Sequence, residues 1–134
     1  MIRSEDTGKL VLRLSLGILI LLHGIAKLGS GVGGIGGVLA AHGLPEALAY
    51  LVYVGEIVAP LLLILGIFTR AAAWVVVINM LFAFGLVHMN ELFALGSTGG
   101  WKLELQGMFL FGALALAFLG AGRFSVGGSG GRFN

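Results

Sequence analysis

The chain has 134 residues, 58% of them hydrophobic and only 10% charged, with mean hydropathy +1.06 and net charge +2. Soluble domains carry about 25% charged residues, so this composition indicates a membrane protein, and the small, dispersed charge excludes a nucleic-acid partner. There is no cysteine, which excludes disulfides, thiol redox chemistry, cysteine-ligated iron–sulfur clusters and c-type haem attachment.

Four apolar runs follow in order, at about 10–28, 48–68, 71–89 and 103–119. Each approaches the ~20 residues that a helix needs to cross the hydrocarbon core. They lack the strict alternation of barrel strands. The expectation is an all-α fold, an integral membrane four-helix bundle formed by residues 1–126 as one domain. Residues 1–9 carry Glu5 and Asp6 and show no cleavable signal pattern, so the first run is expected to be retained. The glycine-rich segment 29–37 is expected to stay out of helix, with a short interfacial turn at 38–42 before Gly43-Leu44-Pro45. It has neither the Gly-Lys-Ser/Thr ending nor the preceding strand of a phosphate-binding loop. The two-residue linker Thr69-Arg70 predicts antiparallel neighbours, and residues 90–100 form a third loop. Residues 127–134 form a flexible Gly/Ser tail, native or a cloning remnant.

Basic residues near helix ends set the expected orientation. Arg3, Lys9, Arg13, Arg70, Arg123 and Arg132 fall on one side, and Lys27 and Lys102 on the other. Both termini are therefore expected to be cytoplasmic. Tyr50, Trp74 and Trp101 lie near predicted helix ends, as interfacial aromatics do.

Ionisable groups inside such runs are costly and usually face a protein interior or a wet cavity. His23 and Lys27 are four residues apart and share a helix face. The plainest role for Lys27 is snorkelling, and for His23 a bond between helices. Glu56 lies near the middle of the second run, about 12 Å below its outer end at 1.5 Å per residue. A carboxylate there needs a proton or a cation, and Lys27 and His23 are the candidate partners. Pro60 removes the hydrogen bond to the Glu56 carbonyl, and Tyr53 shares the Glu56 face. His23, Lys27, Glu56 and Tyr53 are thus the primary candidates for ligand binding or proton handling. His88, Glu104, Gln106 and Asn79 are secondary. Asn79 and His88 point to opposite faces of the third run, as do Gln106 and Glu104 on the fourth. No catalytic residue and no metal ligand set is assigned. Most of these groups fall in the outer half of the membrane, which suggests a polar pocket there.

Several fragments, in this order and spacing, resemble the DoxX family of small four-helix membrane proteins. They are Arg13-Leu14-Ser15-Leu16-Gly17, His23-Gly24 with Lys27-Leu28, Gly43-Leu44-Pro45 and Glu56. Gly66-Ile67-Phe68-Thr69-Arg70, His88, Gly99-Gly100-Trp101 and Gly120-Ala121-Gly122-Arg123-Phe124-Ser125 follow. The resemblance spans about 10–125. The chain departs from the family pattern at Lys102, where an acidic residue is common, and at Ala121, where proline is.

The resemblance implies a bacterial inner-membrane location and a quinone-linked oxidoreductase subunit. Electrons would then have to pass through a partner or a bound cofactor, since no flavin or nicotinamide motif is evident. A b-type haem between His23 and His88 ranks well below quinone or quinol as cofactor. The alternative is a non-catalytic membrane anchor or scaffold, docked on a partner or forming a homo-oligomer within the lipid bilayer. A small-molecule carrier ranks third, because four helices are few for a transporter.

Overall fold

The computed structural model describes residues 4–31, 33–86, 93–128, 131 and 133–134. The fold is all-α. Helix α1 spans Ser4–Ser30, α2 Gly33–Ala41, α3 Glu46–Leu65, α4 Thr69–Leu86 and α5 Glu104–Leu119. Among the described residues, α1, α3 and α4 are long and apolar enough to cross a membrane, and α5, with 16 residues, is shorter.

Local sequence accounts for most boundaries. Helix α1 starts well before its apolar run, with Glu5 and Asp6 in the first turn and Lys27 in the last, each at the end that suits its charge. Pro45 stands in extended conformation before α3, and Gly66 ends it with φ +74°. The amides of Gly66 and Ile67 both return to the Leu62 carbonyl, which closes the last turn.

Helix α2 departs from expectation. Four of its nine residues are glycine, each costing roughly 1 kcal/mol of helix propensity relative to alanine. Tertiary packing offsets that cost. Leu39 and Ala49 are buried together, with Ile35, Leu44, Tyr53 and Leu86 against them. Propensity alone misses this, because the apolar spacing Ile35, Val38, Leu39 lies inside the glycine run.

The four longer helices close a ring in which α1 packs on α3, α3 on α4, α4 on α5 and α5 on α1. Leu16, Ile20, Leu63, Val76, Ala113 and Leu116 fill its centre. Large apolar side chains such as Leu22, Phe82, Phe111 and Phe118 point outward. That surface suits lipid rather than water.

At the end of the bundle where α1 begins, Arg13 is 2% exposed. Its guanidinium donates to the carbonyls of Ala121 and Phe124, both at 2.7 Å. Arg70 donates to the Ala117 and Phe118 carbonyls at the C-terminus of α5. The described residues of 127–134 reach this end as well. Asn134 is buried, its Oδ1 accepts from the Thr69 amide, and its carbonyl accepts from the Ala121 amide. Backbone groups at the turns between helices need partners, and this segment supplies them.

Arg13→Met should therefore cost roughly 2–4 kcal/mol, because two carbonyls lose a charged donor at once. Arg13→Lys should recover only part of that, since an ammonium lacks the planar fork. Thermal unfolding in detergent measures both, and wild-type midpoints for either variant would remove Arg13 from the structural account.

Candidate functional site

The site is assembled at the other end of the bundle, and it begins with glycines. Gly17 and Gly24 lie on the α1 face that meets α3. A Cβ at Gly17 would stand 2.8 Å from Ile64 Cγ1 and 3.0 Å from the Pro60 carbonyl oxygen. A Cβ at Gly24 would run into the Glu56 carbonyl oxygen and stand 2.7 Å from Ile57 Cγ1. Two backbones approach this closely only where the side chain is missing. The carbonyl facing Pro60 in sequence is thus covered by Gly24.

Helix α3 is irregular here. Residues Val54–Val58 form a π-helical turn, closed by the Ala59 amide on the Val54 carbonyl, and Pro60 follows at once. Single π turns insert one residue into a helix and often mark functional positions. This one leaves Glu56 4% exposed and turned into the bundle. Gly55 beside it is buried against Asn79 of α4, where a Cβ would stand 2.7 Å from the Asn79 Cβ.

The close approach lets Lys27 Nζ donate to Glu56 Oε2, forming an ion pair. The Lys27 side chain is 33% exposed and that of Glu56 6%. Tyr53 does not face the same space. Its hydroxyl donates to the Lys27 carbonyl at 3.1 Å and so ties the last turn of α1 to α3. His23 lies one turn below Lys27, edge-on to Phe109 with ring centroids 5.6 Å apart and planes at 76°.

These groups border a cavity of about 630 Å³, within the range of small-molecule sites. His23, Lys27, Glu56, Asn79 and Gln106 are the polar residues that line it. Leucine, valine and isoleucine side chains from α2, α3 and α4 make up most of the remaining wall. Such a chamber fits an apolar molecule with one polar, hydrogen-bonding end. The paired charges of Lys27 and Glu56 offset each other, so an uncharged polar end fits better than an ion.

Of the residues singled out from sequence, His23, Lys27, Glu56, Asn79 and Gln106 come together at the cavity. Glu104 is exposed, beside Gly100 and outside the cavity lining, so the Gln106 face of α5 is the one turned to the cavity. His88 lies outside the described residues, and so does any pairing of it with His23. Sequence reasoning missed Phe109 and the α2 wall. Pro60 was the usable signal for the irregular turn, and Ile35, Val38 and Leu39 were the signal for α2.

If the pair is coupled as its burial implies, Lys27→Met alone should cost roughly 3 kcal/mol by stranding a buried carboxylate. The double variant Lys27→Met/Glu56→Met should lie within ~1 kcal/mol of wild type. Additive losses in a double-mutant cycle of thermal unfolding would show that the two side chains do not act together.

Comparison with known proteins bears on the same residues. The DoxX family model matches residues 8–89, a stretch that contains His23, Lys27, Tyr53, Glu56 and Asn79. A protein of Haemophilus influenzae (strain ATCC 51907 / DSM 11121 / KW20 / Rd), described only as an uncharacterized protein, is 34% identical over 115 residues. That alignment covers 83% of this chain and 81% of the relative. No solved structure matches. The apolar helices and these matches together point to a membrane protein, and the chain belongs to the DoxX family.

Proposed function

We propose that this protein binds a quinone or quinol in the cavity between α1, α3, α4 and α5, as a subunit of an oxidoreductase system in the bacterial inner membrane. The observation that carries this reading is the polar corner of His23, Lys27 and Glu56 in a mostly apolar chamber at one end of the helices. A quinone is an apolar molecule whose uncharged carbonyl oxygens accept hydrogen bonds. Reducing it to the quinol takes two electrons and two protons.

The residues suit those needs. The Lys27 ammonium donates to an oxygen placed in the corner, and Glu56 holds that ammonium in place. The Asn79 and Gln106 amides supply further neutral donors. His23 borders the cavity, and an imidazole nitrogen can donate or accept a proton there. The electrons come from a partner protein, because these side chains have no redox chemistry of their own.

The same reading takes α1, α3, α4 and α5 as four membrane crossings with both termini in the cytoplasm. Arg13 and Arg70 stand at one end and Lys27 at the other, which follows the positive-inside bias. Helix α5 spans about 24 Å at 1.5 Å per residue, and local thinning of the bilayer accommodates it.

Two measurements test the proposal. Protein purified in lipid nanodiscs should carry extractable quinone, and Glu56→Gln and His23→Ala should each weaken binding of a short-chain quinone by about tenfold or more, with normal assembly. Bound quinone in neither wild type nor variants would favour the anchor reading instead. For orientation, Gly29→Cys in the cysteine-free chain should react with an impermeant maleimide in intact cells, and Val126→Cys only after lysis. The reverse pattern would place the termini outside.

A further inference from the structure

We propose that α2 is a hinged lid, and that the cavity fills and empties by its movement rather than through the seams between the long helices. Helix α2 and the residues after it form one wall of the chamber, through Ile35, Val38, Leu39 and Leu44. It packs chiefly on the first turn of α3, Glu46–Tyr50. The small cluster around Leu39 and Ala49 is separate from the core that joins the four long helices. Its removal from the chamber therefore leaves that core intact.

The ends of the lid are built to turn. Gly31 has φ +80° and Gly43 φ +75°, conformations that only glycine adopts without strain. A Cβ on either would meet nothing within 4 Å, so neither glycine is there to make room for a neighbour. The same holds inside α2. Gly33, Gly34 and Gly37 all face open space, and larger residues would fit. These glycines make the helix easy to unwind or displace, which is the property a moving wall needs. The long helices are the opposite case. Gly17 and Gly24 are locked against α3, and Gly55 of α3 against Asn79 of α4. Separating α1 from α3 would break the ion pair, and parting any of the long helices would open the central core. Of the cavity's walls, α2 is the one that lies outside the central core, and it is the route.

This inference concerns access and holds whatever occupies the chamber. It can be tested without any quinone. A Cβ at Gly36 lies 3.6 Å from the Glu46 Cβ, inside the roughly 3.5–4.5 Å that a disulfide requires. Because the chain has no native cysteine, Gly36→Cys/Glu46→Cys can pin α2 to α3, with the 36–46 linkage verified by peptide mapping. Ala83→Cys places a reporter thiol on the α4 wall of the cavity. The rate at which N-ethylmaleimide modifies that position, read by mass spectrometry in nanodiscs, measures access.

Compared with Ala83→Cys alone, the oxidised 36–46 disulfide should slow modification at position 83 by about tenfold or more, and Leu39→Ala should accelerate it. If the disulfide does not form, the Leu39→Ala rate decides by itself. A rate at position 83 that neither change alters would overturn the lid. Absence of quinone from the protein would overturn only the proposed ligand.

Discussion

A carboxylate in an apolar helix is the constraint around which this structure is organised. Burying Glu56 unpaired would cost several kcal/mol, and among the described residues Lys27 is the cation that pairs with it. Reaching it requires α1 and α3 to touch backbone to backbone. Gly24 permits the contact, and any larger residue there would collide with the Glu56 carbonyl. The π turn at Val54–Val58 then aims the side chain inward, with Pro60 just beyond it. Gly24, the turn and Pro60 are therefore parts of one solution to one electrostatic problem, and Tyr53 fastens it by holding the Lys27 carbonyl.

The opposite end solves the converse problem. Arg13 is a buried cation, and the structure gives it backbone carbonyls rather than a carboxylate. Those carbonyls are available because Gly120 and Gly122, both with φ +80°, turn the chain back across the bundle after α5. Arg70 covers the last carbonyls of α5, and Asn134 pairs with the amides of Thr69 and Ala121. A segment rich in glycine thus closes one end of the bundle by donating and accepting backbone bonds. The other glycine-rich segment, α2, covers a cavity. Similar composition serves opposite purposes, and what differs is whether the glycines are packed or free.

The two ends also differ in what they leave open. Around Arg13 the hydrogen bonds run to the protein's own backbone. Around Lys27 and Glu56 there is a chamber, with an imidazole and two amides on its walls. Because the ion pair is already neutral as a unit, the chamber favours an uncharged head group on an apolar body. That preference comes from charge balance and shape, and it is the physical basis for choosing a quinone over an ion or a soluble anion.

The sequence by itself determined the membrane setting and the all-helical class. These follow from composition, run length and the high cost of charge in apolar segments, which are local quantities. It also singled out His23, Lys27 and Glu56, since an ionisable side chain in an apolar run is visible without a structure. It could not choose between Gln106 and Glu104, because the inward face of a helix depends on its neighbours. It kept the glycine segment 29–37 out of helix and gave 38–42 only a short turn, because propensity is local and the packing that holds α2 is not. It treated Arg13 as a topological charge and 127–134 as a loose tail, because their partners lie about a hundred and about sixty positions away in the chain. Only the tertiary structure decided those points. Long-range contacts set which face is buried and which backbone groups are paired, and no local pattern encodes them.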